Sequence, residues 1–135
     1  MSATASALIY LALWPLVLLT ILIVLRVGLT LTGKKAANTF SPTGEDVSPF
    51  SQRLTRAHAN NVEHVPFILV IMLYAIVSNQ TAITDGLAFI MLFARIGQSV
   101  VHLISTSVPM VLARAGLLGV QLAIVFYWAF SLIAA

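Results

Sequence analysis

Arg56-Ala57-His58-Ala59-Asn60-Asn61-Val62-Glu63-His64-Val65-Pro66 runs directly into Phe67-Ile68-Leu69-Val70-Ile71-Met72-Leu73-Tyr74. A charged and amidic stretch thus becomes an apolar one without a break. At about 100° per residue, Arg56, Asn60 and Glu63 fall within an arc of roughly 60° on a helix. The apolar part from Val65 is too short to cross a bilayer alone, because a span needs about 20 residues. The polar turns therefore lie partly at membrane depth or extend the helix beyond it. Ionisable groups that enter a bilayer on one helix face are costly and need a partner or a ligand.

The rest of the chain fits this reading. Of 135 residues, 60% are hydrophobic and only 8% are charged, too apolar for an ordinary soluble domain and far from disorder. Seven basic and four acidic residues give a formal charge of +3. The basic residues gather at membrane borders instead of covering a solvated face, so nucleic acid is not an expected partner. With no cysteine, the chain has no disulfide framework or nucleophilic thiol of its own. Its three histidines and four acids show no metal-ligand spacing. The first apolar run lacks a basic leader and is longer than a signal-peptide core, so it reads as an anchor that is retained.

Four spans are expected, at about 5–27, 55–77, 84–104 and 108–133. They form one all-α domain over residues 1–135, an antiparallel four-helix membrane bundle. Pro15 sits inside the first span as a kink site, and Pro109 suits the first turn of the fourth. Tyr127 and Trp128 read as interfacial residues. Tyr10 and Trp14 read as packing or lipid-facing residues, and Gln121 as an interhelical hydrogen bonder. Gly116 and Gly119 suggest a close helix approach. Residues 28–54, with Gly33, Ser41-Pro42-Thr43-Gly44 and Ser48-Pro49, read as a loop. Ser78–Thr81 and Ser105–Ser107 are short turns that make neighbouring spans antiparallel.

Arg26, Lys34, Lys35, Arg53 and Arg56 flank or occupy the long loop, and Arg114 lies on the same side. The positive-inside rule makes that side cytoplasmic and both termini external. Lys34 and Lys35 read as topology determinants. On the third span, Arg95, Gln98, Ser99 and His102 share one face. The antiparallel order then gathers Arg26, Arg56, Asn60, Glu63, Arg95, His102 and Arg114 at one depth.

Several arginines with one glutamate suit an anion-rich zwitterion. Arginine binds carboxylates through two parallel hydrogen bonds, glutamate accepts an ammonium, and Asn60 can do either. Glutathione has two carboxylates, one amine and the thiol this chain lacks. A thiol with a pKa of about 8.5 is mostly protonated at neutral pH. A guanidinium beside it favours the thiolate, at about 1.4 kcal/mol per unit of pKa. A bland alternative stands beside this one: Glu63 paired with Arg56 or with Arg95 would simply lock the bundle.

Arg56-Ala57-x-x-Asn60-x-x-Glu63-x-x-Pro66 resembles the span-two signature of the membrane-associated proteins in eicosanoid and glutathione metabolism (MAPEG). The version with His58 is most similar to that of microsomal glutathione transferase 1. Ala94-Arg95-Ile96 and Arg114-Ala115 resemble the family's further motifs, in the same order. The resemblance implies a homotrimer with glutathione bound between subunits as co-substrate. It implies Arg26, Arg56, His58, Asn60, Glu63, Arg95 and Arg114 as glutathione contacts. It also implies transfer of the thiolate to a lipophilic electrophile or lipid hydroperoxide drawn from membrane lipid. The departures are His102 and Gln98, where family members carry tyrosine, and Thr55, where an arginine precedes the motif. They leave Arg95, Arg114 and His102 as candidates for activating the thiol. Two other readings compete: a small proton-coupled multidrug transporter using Glu63, and a non-catalytic binding protein of the same fold.

Overall fold

A computed structural model describes all 135 residues. It contains four helices: α1 Ala3–Leu31, α2 Pro49–Val77, α3 Thr81–Ile104 and α4 Val108–Ala134. Each is long and apolar enough to cross a membrane, so the protein is an integral multi-pass membrane protein. The outer faces carry large apolar side chains such as Phe67, Phe93, Phe126 and Phe130, as a helix surrounded by lipid requires.

α2 starts at Pro49, six residues before the expected boundary. The Ser48-Pro49 pair is a helix start rather than loop: Ser48 caps the helix by accepting the Ser51 N–H at 3.0 Å. Proline costs nothing in the first turn, where its missing N–H has no partner to lose. At about 1.5 Å per residue, its 29 residues reach roughly 43 Å. That exceeds a hydrocarbon core of about 30 Å, so the polar turns can project past the membrane. Pro66 lies inside α2 and removes the backbone bond to the Val62 carbonyl, placing a kink site between the polar and apolar halves. The α2–α3 turn closes on Asn79 at φ 58°, a conformation asparagine tolerates at a helix end.

The loop between α1 and α2 folds back on itself. Lys35 pairs with Asp46 at 3.0 Å, and the Ser41 N–H donates to the same carboxylate at 3.0 Å. These hydrogen bonds, the backbone one first, hold the Asp46 carboxyl below its usual range. Lys35 is therefore more than a topology signal. Arg26 and Lys35 both stack on the Phe40 ring at 5.5 Å, within reach of a cation–π attraction. Gly44 sits at φ 74° against α2, where an added Cβ would lie 2.5 Å from Thr55 Oγ1 and 2.7 Å from the Ser51 carbonyl. Only glycine fits there.

α2 and α3 pack together at the centre, α1 lies against both, and α4 lies mainly against α3 with a lesser contact to α2. The backbones of α1 and α4 do not approach each other closely. One core joins Ala7 and Leu11 to Met72, Met91, Ile124 and Trp128, and a second, nearer the loop, joins Leu18, Leu22, Leu54 and Ala57. Trp128 is fully buried, not interfacial: it falls on the stripe of α4 that faces α3, whereas Tyr127 next to it is exposed. Gly116 and Gly119 meet nothing within 4 Å, so neither mediates a close approach within the chain.

Candidate functional site

Arg95 is the centre of the polar constellation. It has 0% of its surface exposed, because the face of α3 that carries it is turned toward α2. One guanidinium nitrogen, Nη1, donates to Asn60 Oδ1 at 2.6 Å. Nε and Nη2 are buried and have no protein partner. A guanidinium has five N–H donors and no acceptor, so most of its capacity here is unused. Leaving a buried charge partly unpaired is expensive. An anion is one partner that would satisfy these donors.

The neighbours of Arg95 are held tightly. Gln121 of α4 donates to Gln98 Oε1 at 2.8 Å, and Gln98 donates to Asn60 Oδ1 at 3.5 Å. Gln121 thus does act as the interhelical hydrogen bonder its place in an apolar span predicts. The Ser99 hydroxyl accepts from Asn61 Nδ2 and from Trp14 Nε1, each at 2.9 Å, and donates to the Arg95 carbonyl at 3.2 Å. Both its lone pairs and its proton are committed. Three helices therefore converge on one hydroxyl, one turn from Arg95. Trp14 is a hydrogen-bonding member of this node as well as a packing residue. Asn61 was missed in the sequence because it stands off the Arg56–Asn60–Glu63 arc. Its burial beside a polar residue on α3 is knowable only once the helices are paired.

Arg56 and Glu63 are exposed on the surface of the chain. Neither forms an ion pair, the Lys35–Asp46 bridge being the one in the molecule. The bland alternative, in which Glu63 pairs with Arg56 or Arg95, is not what this chain does. Arg114 is half-buried with an unpartnered Nε. It lies near enough to the buried His102 to act on it electrostatically, as do Arg56 and Arg53. Arg53 also donates to the Leu103 carbonyl at 2.8 Å, tying the start of α2 to the end of α3. The loop end of the bundle thus assembles Arg53, Arg56, His102 and Arg114.

Two expected members lie apart. Arg26 bonds the Ser41 carbonyl at 3.4 Å and stacks on Phe40, so the loop holds it. His58 is half-buried, about 200° round α2 from Arg56, and no hydrogen bond joins it to the others. One residue joins that was not expected. His64 is half-buried and shares with Arg95 a cleft of about 310 Å³ between α2 and α4. Its outer walls are apolar, including the exposed Phe67 and Phe126, and the buried Gln121 and Arg95 form its polar end.

A membrane bundle with a buried, half-satisfied arginine beside an apolar cleft has the chemistry of a site for an amphipathic anion. The MAPEG family model matches residues 4–134, nearly the whole chain. The chain belongs to the MAPEG family. The family includes glutathione transferases and other enzymes of eicosanoid metabolism, so MAPEG membership makes this a membrane protein of glutathione-related or eicosanoid metabolism. No curated protein and no solved structure matches the chain. Membership of MAPEG therefore does not extend to a particular subfamily, microsomal glutathione transferase 1 included.

Proposed function

We propose that the protein is a glutathione transferase. It binds glutathione between the subunits of a homotrimer, on the cytoplasmic side, and adds the thiolate to a lipophilic electrophile or lipid hydroperoxide from the bilayer. The observation that carries this is the Arg95 guanidinium, fully buried, held by the neutral Asn60 and left with two unpartnered nitrogens. Among small anions, one with carboxylates, an amine and a thiol makes use of the whole set. Arg56, Arg95 and Arg114 take carboxylates or the thiolate, and Glu63 takes the ammonium. Asn60, its oxygen already engaged, offers N–H donors. Arg56 and Glu63 on the outer surface are explained by a ligand and a second copy of the chain covering them. Arg26 and His58, apart from Arg95 in one chain, reach the site from the adjacent subunit. His102, among arginines, supports thiolate formation alongside Arg95 and Arg114.

The test is isothermal titration of the purified protein with glutathione, followed by turnover of a generic aryl halide. Binding with a thiolate absorbance band and turnover supports the proposal. Binding without a thiolate band or turnover supports a non-catalytic MAPEG protein. The absence of binding overturns the reading, and uptake into proteoliposomes driven by a pH gradient then tests the transporter alternative.

A further inference from the structure

His64 is the one titratable group in the α2–α4 cleft besides Arg95, and no role assigned so far uses it. Its Nδ1 lies 2.8 Å from the Asn60 carbonyl oxygen. A carbonyl only accepts, so in the neutral ring Nδ1 carries the hydrogen and Nε2 carries the lone pair. A backbone carbonyl that fixes a histidine tautomer leaves the other nitrogen free as a base. Asn60 therefore does two things at once: its side chain holds Arg95 at 2.6 Å and its main chain orients His64. The cation and the base are positioned by a single residue, at the polar end of a cleft whose remaining walls are mostly apolar.

We infer that His64 is a catalytic residue, the proton acceptor for the thiol of the bound co-substrate. The inference rests on the glutathione reading above. In the step, the S–H bond breaks, its proton passes to His64 Nε2, and the electron pair stays on sulfur as a thiolate stabilised by Arg95. The thiolate attacks the electrophilic carbon and a C–S bond forms. The displaced electron pair goes to the leaving group or to the atom that accepts charge, which takes the proton back from His64 Nε2 where it needs one. Atoms and charge balance with no other reactant. The electrophile occupies the apolar part of the cleft, between Phe67 and Phe126, so sulfur, base and reacting carbon meet at its polar end. The charged groups around His64 are Arg95 from α3 and the neighbouring Glu63 on α2. α4 contributes only the uncharged Gln121, and α1 does not line the cleft.

The experiment uses the full-length protein in detergent or nanodiscs, with glutathione and an aryl halide. His64→Gln and His64→Asn are compared with the wild type across pH 5.5 to 9.5. General-base catalysis contributes about 10²-fold or more, so kcat should fall by about that factor while glutathione affinity stays within about threefold. The rate of both variants should rise more steeply with pH than that of the wild type, because the thiol beside Arg95 must then ionise with no base to take its proton. Should His64→Gln fold poorly, His64→Asn and recovery of rate by added imidazole in His64→Gly carry the same test. Glutathione binding with unchanged kcat and pH profile in the variants overturns this inference and leaves the glutathione reading standing. Failure of the wild type to bind glutathione overturns both.

Discussion

Asn60 Oδ1 accepts from Arg95 Nη1 at 2.6 Å, joining the middle of α2 to the middle of α3 through a charge-assisted hydrogen bond. Such bonds contribute about 1.5–3 kcal/mol. Glutathione binding should therefore weaken by about 10- to 100-fold in Arg95→Ala, read by calorimetry. Arg95→Lys should not restore it, since lysine lacks the planar fork that serves Asn60 and an anion together. A double-mutant cycle with Asn60→Ala should give a coupling of about 0.5–3 kcal/mol. Unchanged affinity in Arg95→Ala would remove the arginine from the site.

Ser99→Ala should destabilise the bundle without touching a ligand. It leaves Trp14 Nε1 and Asn61 Nδ2 with a lost acceptor in the interior. Asn61 Nδ2 keeps the Ala57 carbonyl at 2.7 Å, so Trp14 Nε1 is the one left without a partner. A buried orphan costs about 1–3 kcal/mol in a soluble protein, while interhelical hydrogen bonds in membranes average nearer 0.6 kcal/mol. A loss of about 1–3 kcal/mol in total is expected in unfolding of the detergent-solubilised protein. Ser99→Thr, which keeps the hydroxyl, should recover most of it.

Gly44→Ala should release the loop from α2. The new Cβ would meet Thr55 Oγ1 and the Ser51 carbonyl at under 3 Å, at a φ of 74°. Strain of this kind costs about 1–3 kcal/mol. Protease cleavage within residues 33–48 should accelerate several-fold relative to the wild type, while Gly33→Ala, which meets no neighbour, should have a smaller effect through its positive φ alone.

The loop should also loosen in acid. The carboxyl of Asp46 sits below its usual value of 3.8 because of Ser41 and Lys35. A depressed carboxyl stabilises the loop above the unfolded pKa, and that contribution disappears as pH falls through the folded value. Hydrogen exchange of the Ser41 amide should thus lose protection from about pH 4 downward. In Asp46→Asn the protection should be low at every pH, with no acid-side loss. A wild-type amide protected equally at pH 2.5 and pH 6 would contradict the assignment.

Much of this was legible in the residues. Four apolar runs and two short turns define the helices to within a few residues, because lipid demands long uninterrupted spans. The start of α2 is ambiguous in the sequence because Ser48-Pro49 serves equally as a turn and as a cap followed by a first helical residue. The shared face of Arg95, Gln98, Ser99 and His102 follows from helical spacing, and all four are buried. Trp14, Asn61 and His64 were not legible as a network or a cleft. Their roles depend on how α1, α2 and α4 rotate about α3, and an apolar helix carries almost no sequence signal for rotation when every face is greasy. The buried position of Trp128 is hidden for the same reason: an aromatic near a span end suits both the membrane border and the core.

Asn60 could have been aspartate and gripped Arg95 harder. A carboxylate would form a closed ion pair and cancel the positive potential that the cleft presents. The amide clamps the guanidinium while leaving its full charge directed at whatever arrives. Asn60→Asp should therefore be the variant that makes the empty protein more rigid and the same site blind to anions: a higher unfolding temperature, with affinity for any acidic ligand lost. Position 60 sets the exchange rate between holding a charge and using it.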